Sequence, residues 1–284
     1  MHEDPGPTRH SRKPEREGGP VPPAEPLAVP VVDSHCHLDL MDGEVADNLA
    51  AARGVGVPTV VSVGVDLETS RWQADVAGRF DDVWAAVAIH PNEAGAGRAT
   101  DEALRGVEAL AALPQVRAVG ETGLDHFRTE TSEGHRLQEE SFRAHIAIAK
   151  ATGQPVMIHD REAHGDVLRV LADEGAPDVV VFHAFSGDAA FARRCADAGY
   201  HCSFAGNVSF KNAGDLRAAA AVLPPELLLV ETDAPFLTPM PYRGRPNGPH
   251  LVPLTMRVLA ETRGDDLDAL CAQVHRNATR VFRL

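Results

Sequence analysis

From about residue 30 the chain alternates short apolar runs with longer amphipathic ones until eight such units have passed. This rhythm limits the fold more than any other feature, because strands separated by helices pair in parallel and are covered on both faces. The candidate strands are Val29–Asp33, Thr59–Gly64, Val83–Ile89, Val116–Gly120, Pro155–Ile158, Val179–Phe182, His201–Phe204 and Leu227–Glu231. The runs between them read as helices. In Leu137–Ala151, for example, Leu137, Phe142, Ile146 and Ala149 fall on one helical face. The expected fold is α/β, a single-domain (β/α)₈ TIM barrel over residues 30–284. A doubly wound open sheet is the competitor. It usually carries a Gly-rich loop after its first strand, and here that place reads His-Cys-His.

Residues 1–29 stand apart, rich in Pro, Gly, Glu and Arg, with no aromatic residue and no periodicity. Such a segment buries too little apolar surface to offset its ordering entropy, so a disordered tail is expected. Over the whole chain 44% of the residues are hydrophobic, enough for a sizeable core. The net charge of -14 argues against a broad nucleic-acid-binding face, since polyanions are gripped by clustered Lys and Arg. A nucleic acid substrate would have to be held locally, by metals and a few basic side chains. Cys36, Cys195, Cys202 and Cys271 form no C-x-x-C pair and read as reduced, mostly buried thiols. No run approaches the ~18 apolar residues of a membrane span, and the N-terminus lacks a secretory apolar core. A cytoplasmic protein is expected, with no membrane association and no evident obligate protein partner.

The strongest chemical signal lies at the end of the first strand, Asp33-Ser34-His35-Cys36-His37-Leu38-Asp39. Alternate residues of an extended chain point to the same side, so His35 and His37 can present two imidazoles to one metal. Alone, such a pair is a weak signal, and two surface histidines in a loop are the stronger reading. Four more groups raise its weight: Glu121, His159, His183 and Asp233 each follow a strand, at the rim where barrel enzymes build their sites. Ending an apolar strand with such groups is otherwise an expensive burial. Four imidazoles and two carboxylates exceed the needs of one tetrahedral ion and suit two divalent ions, Mg, Mn or Zn, with Glu121 as the bridge.

The stretches DSHCHLD (33–39), AIHPNE (88–93), VGETGLD (119–125), MIHDRE (157–162), FHAFSG (182–187) and ETDAPFLTP (231–239) carry a resemblance. YRGRPNGP (242–249) and HRNATRVF (275–282) add weaker matches. The sequence resembles the TatD family of metal-dependent deoxyribonucleases, within the wider amidohydrolase-like barrels. The resemblance implies that His35, His37, Glu121 and Asp233 hold one metal, and that Glu121, His159 and His183 hold a second. It implies phosphodiester hydrolysis of DNA, as a 3′–5′ exonuclease on single-stranded or frayed ends, with Asp233 and Glu121 as catalytic residues. Three positions depart from the family pattern: Ala184 replaces a frequent Cys, His126 a frequent aromatic, and Gly248 a Glu beside the retained Asn247.

His90, Arg161, Arg243 and Arg245 are the candidate substrate contacts. His90 can orient a phosphate or carbonyl, or be a loop histidine bonded to backbone. Arg161 can pair with a phosphate or form a helix-capping salt bridge; Arg243 and Arg245 can meet a polyanion or stay solvated, and Lys211 is a weaker candidate of the same kind. Trp72 and Trp84 can stack a base, with packing the stronger expectation. Asp39 and Asp125 close loops beside the ligands and can orient them. His2, His10, His135, His145, His164, His201 and His275 have no assigned role. The same site also suits ester or amide hydrolysis, as in a D-aminoacyl-tRNA deacylase or a small-molecule amidohydrolase. A barrel kept only as a scaffold conflicts with the complete ligand set.

Overall fold

A computed structural model describes residues 19 and 21–284. Eight strands pair in parallel in chain order: β1 (Val32–Cys36), β2 (Thr59–Val63), β3 (Val83–Val87), β4 (Val116–Asp125), β5 (Val156–Arg161), β6 (Val180–Phe182), β7 (His201–Phe204) and β8 (Leu228–Val230). Helices connect them, completing the (β/α)₈ barrel. Between β8 and β1 the ring closes through an isolated parallel bridge, Cys36 with Ala234. His37 N–H donates to Ala234 O at 2.7 Å and Asp233 N–H to His35 O at 2.9 Å.

Pleat alternation sorts the apolar side chains into two layers. Val60, Val156, Ile158, Phe182 and Val230 pack outward under the helices. Val61, Val63, Ala86, Ala118, Met157, Val181 and Leu229 form a separate cluster inside the ring. Val281 and Phe282 of the helix Leu267–Phe282 join that inner cluster. No helix among the described residues is long and apolar enough to cross a membrane.

Three expectations need correction. β1, β4 and β5 run past the predicted ends, so His35, Glu121 and His159 lie within strands rather than beyond them. The helix expected at Leu137–Ala151 spans Ser132–Thr152, and Leu137 is only half-buried while Gln138, Ser141 and His145 are buried. Residues 21–29, expected as disordered tail, lie on the barrel: Val21, Ala24 and Leu27 are buried, and Leu27 N–H donates to Val55 O at 3.0 Å. Val21, Ala24 and Leu27 fasten that segment, and three isolated apolar residues among prolines do not register as a helix or strand. The expectation for residues 1–18 and 20 falls outside the described residues.

Candidate metal centre

Glu121 stands at the middle of the barrel's C-terminal end, and local sequence explains how it gets there. Between Val119 and Thr122 β4 advances three residues while β5 advances two, from Val156 to Ile158. The extra residue is a bulge, a device that re-aims a side chain. The glycines on either side are sterically required. A Cβ on Gly120 would lie 2.4 Å from Met157 Cβ, and one on Gly123 (φ +131°) would lie 2.2 Å from His159 O. VGETGLD therefore encodes a turned-in carboxylate between two close approaches.

The two oxygens of Glu121 address different histidines. Oε2 lies 3.6 Å from His35 Nε2 and 3.8 Å from His37 Nε2, and the same two nitrogens lie 3.8 and 3.6 Å from Asp233 Oδ1. Oε1 lies 2.7 Å from His159 Nδ1 and 2.8 Å from His183 Nε2. The other five predicted ligands are thus gathered around one carboxylate.

Each imidazole is turned by a bond on its far nitrogen, which leaves the near nitrogen's lone pair for the site. His37 Nδ1–H donates to Val63 O at 2.9 Å, and His35 Nδ1 meets Met157 Sδ at 3.1 Å. His159 Nε2 faces Asp125 Oδ2 at 3.1 Å; His183 Nδ1 faces Glu231 Oε1 at 3.3 Å. Asp125 was among the carboxylates expected to orient ligands. Glu231 was not singled out: reading it as the last residue of an apolar strand hid a fully buried carboxylate that also accepts Ala184 N–H at 2.8 Å. Asp39 acts at one remove. It accepts from Gln73 Nε2 at 2.6 Å, and Gln73 also donates to Val63 O, the acceptor of His37.

The electrostatics match a site built for cations. Burial would lower His37, yet the Asp233 and Glu121 carboxylates raise it to about 9. Burial likewise opposes protonation of His183, and Glu121 and Glu231 raise it well above its usual range. His35 goes the other way, held low by burial and by His183. Burial works against the Glu121 charge, but the surrounding histidines hold its carboxyl well below the usual range. In this arrangement, protons on His37 and His183 balance the buried carboxylates, and a divalent cation among the same lone pairs would displace them. The donor set fits such ions: His35, His37 and Asp233 offer ligand atoms within 4.8 Å of one another.

His90 belongs to the centre in a different capacity. Its Nδ1 accepts Asn92 N–H at 3.0 Å, so the neutral ring carries its proton on Nε2, 3.3 Å from Glu121 Oε1. A nitrogen bearing a proton cannot ligate a metal, although His90, Glu121 and His159 are close enough to suggest a site. His90 is a donor aimed into the centre. Arg161 stands on β5 two residues beyond His159, its guanidinium 4.0 Å from the Phe127 ring centroid. Arg243 lies over Phe210 at 4.3 Å, and Arg245 donates to Gly19 O at 2.9 Å. Trp72 packs against the outer core. Trp84 sits near the start of β3, at the opposite end of the barrel from the centre, under the Arg117 guanidinium at 4.2 Å.

Known proteins match this chain along nearly its whole described length. A family model described as TatD related DNase matches residues 32–283. The metal-dependent hydrolase TatD of Mycobacterium tuberculosis is 46% identical over 261 residues, covering 89% of this chain and 98% of that protein. The 3'-5' ssDNA/RNA exonuclease TatD of Musicola paradisiaca is 36% identical over 244 residues, covering 83% of this chain and 90% of that one. Among solved structures, the TatD homolog YJJV of Escherichia coli K12 superposes with a TM-score of 0.82 at 27% identity, covering 89% of this chain and 98% of its own.

Proposed function

The chain belongs to the TatD-related family of metal-dependent hydrolases, and from that premise we propose that it is a deoxyribonuclease using two divalent ions. The observation that carries the reading is the sharing of Glu121, one oxygen toward His35 and His37 and the other toward His159 and His183. His35, His37, Glu121 and Asp233 would hold one ion; Glu121, His159 and His183 would hold the other. Ions bound there would supply Lewis-acid polarisation of a phosphoryl group and a lowered pKa for water.

The remaining chemistry falls to the chain's own groups. The Asp233 carboxylate takes the proton of the attacking water and returns it to the leaving oxygen. His90 Nε2–H donates to a phosphate oxygen and aligns the phosphodiester. Asn247 Nδ2 donates to Thr232 O at 3.0 Å and also to Phe236 O, fixing the loop on which Asp233 stands. Gly248 N–H in turn donates to Asn247 Oδ1 at 2.9 Å. The exonuclease name of the Musicola paradisiaca relative supports attack from a 3′ end.

An unpaired, 5′-end-labelled oligodeoxynucleotide incubated with Mg, Mn or Zn tests the reading, beside an aminoacyl ester and an amide. Products shortened stepwise from the 3′ end are expected. Ester or amide turnover with an intact oligonucleotide would overturn the nuclease assignment.

A further inference from the structure

Among the described residues, Leu113, Phe127, Phe236 and Met240 are the exposed large apolar side chains. Leu113 precedes β4, at the far end of the barrel from the centre. The other three stand on loops around the candidate metal centre, a concentration that scattered surface residues do not produce. Phe127 is 51% exposed. It follows Asp125, the residue that holds His159, by two positions. Arg161 leaves β5 on the same side as His159, ~6.6 Å further along the strand. Its guanidinium covers one face of the Phe127 ring. Across the mouth, Phe236 presents its ring edge-to-face to His37, centroids 6.0 Å apart. Strand order runs from β1 to β8 around the ring, so the loops after β4 and β8 face each other across Glu121.

We propose that Phe127 and Phe236 are two base-stacking platforms flanking the scissile bond, with Arg161 pairing to a phosphate between Phe127 and the centre. The proposal rests on the phosphodiester reading above and adds to it the side chains that would grip the bases on both sides of the cleaved bond. In a duplex the base faces are occupied by neighbouring pairs, whereas an unpaired base offers its π-face to an aromatic ring whatever its sequence. The guanidinium serves both partners, stacking on the ring and donating in a fork to phosphate oxygens. Two aromatic anchors also answer how a chain of net charge -14 can hold a polyanion without a basic surface.

The test is binding of a fluorescent, unpaired phosphorothioate oligodeoxynucleotide, followed by anisotropy, with cleavage of the phosphodiester version in parallel. Phe127→Ala and Phe236→Ala should each weaken binding by about 5- to 100-fold, the range of one lost base stack, and Phe127→Trp should restore it. A strand with abasic sites at the flanking positions should bind wild type and Phe127→Ala alike. Equal losses on natural and abasic strands, or no loss on either, would overturn the platforms. If wild type cleaves the strand but both Ala variants behave as wild type, the platforms fail and the nuclease reading stands. If wild type cleaves no phosphodiester, the nuclease reading fails and anisotropy alone decides: a strand that wild type does not bind overturns the platforms as well.

Discussion

Asp233 is held at φ +53°, a left-handed conformation costing about 1–3 kcal/mol outside glycine, and its bond to His35 O is part of what sustains it. A side chain placed at such cost is aimed rather than merely accommodated. Asp233→Asn keeps the shape and one ligating oxygen but cannot take a proton at neutral pH. At saturating metal, turnover should fall by about 10²–10⁴-fold while the Michaelis constant changes far less. Turnover returning to wild type with excess metal would leave Asp233 a ligand only. Glu121→Ala should empty both positions, because the single residue facing both histidine pairs is gone; elemental analysis retaining one full equivalent would refute the shared role. Glu231→Gln tests a subtler assignment. If Glu231 only orients His183, metal affinity should drop about 10–100-fold without loss of fold, read by competition with a chelator and by circular dichroism. The six candidate ligands were legible because imidazoles and carboxylates interrupt apolar runs. Glu231 was not: a charged residue finishing a strand looks like its boundary, and only three dimensions place it behind His183.

The strands β1, β4 and β5, whose ends were misread, carry candidate ligands within them. His35, Glu121 and His159 look like the end of β character because they are polar, yet the strands continue through them to bring their side chains to the centre. Neither bulges nor close approaches have a hydrophobic period, so Glu121 was legible as a carboxylate ending an apolar run, while the mechanics of VGETGLD came only from the structure. The long helix Ser132–Thr152 shows the same limit on its buried face. His145, left without a role by pattern, accepts Ile89 N–H on Nε2 at 3.0 Å and donates from Nδ1 to Ser141 O at 2.7 Å. It thereby ties the helix to the residue preceding His90. Burial lowers its pKa from 6.5 to about 4. Between those values the unfolded chain binds a proton that the folded chain refuses. Stability is therefore complete above about pH 6.5 and declines as pH falls toward 4, by about 3 kcal/mol in all. Urea midpoints at pH 7, 5.5 and 4.5 should fall less steeply for His145→Gln than for wild type. Parallel profiles would remove His145 as the source.

The ring as a whole has one weak seam, between β8 and β1, where a single bridge replaces a ladder. His35, His37 and Asp233 sit on that seam, so its rigidity sets the geometry of one side of the centre. Asp33 secures it: its carboxylate accepts Thr232 N–H at 2.9 Å and Thr232 Oγ1–H at 2.6 Å. From outside, the segment 21–29 crosses between the first and last units of the barrel. Leu27 N–H bonds Val55 O beyond the first helix, while Ala24 N–H reaches His250 O at 3.4 Å. Arg257 donates to Pro26 O at 3.3 Å and pairs with Glu25 at 3.6 Å. Leu27 also fits closely on Gly56, where an added Cβ would lie 2.9 Å from Leu27 O. Losing these contacts removes at least one buried aliphatic side chain, about 2 kcal/mol. That corresponds to roughly 4–8 °C in melting temperature for a domain of this size. Deleting residues 1–29 should therefore lower the melting temperature by several degrees, and Leu27→Ala alone should account for much of it. Because the seam carries His35, His37 and Asp233 but not His159 or His183, the deletion should also weaken one metal equivalent more than the other in a titration. An unchanged melting curve, or equal weakening of both equivalents, would show that the strap contributes nothing to the seam.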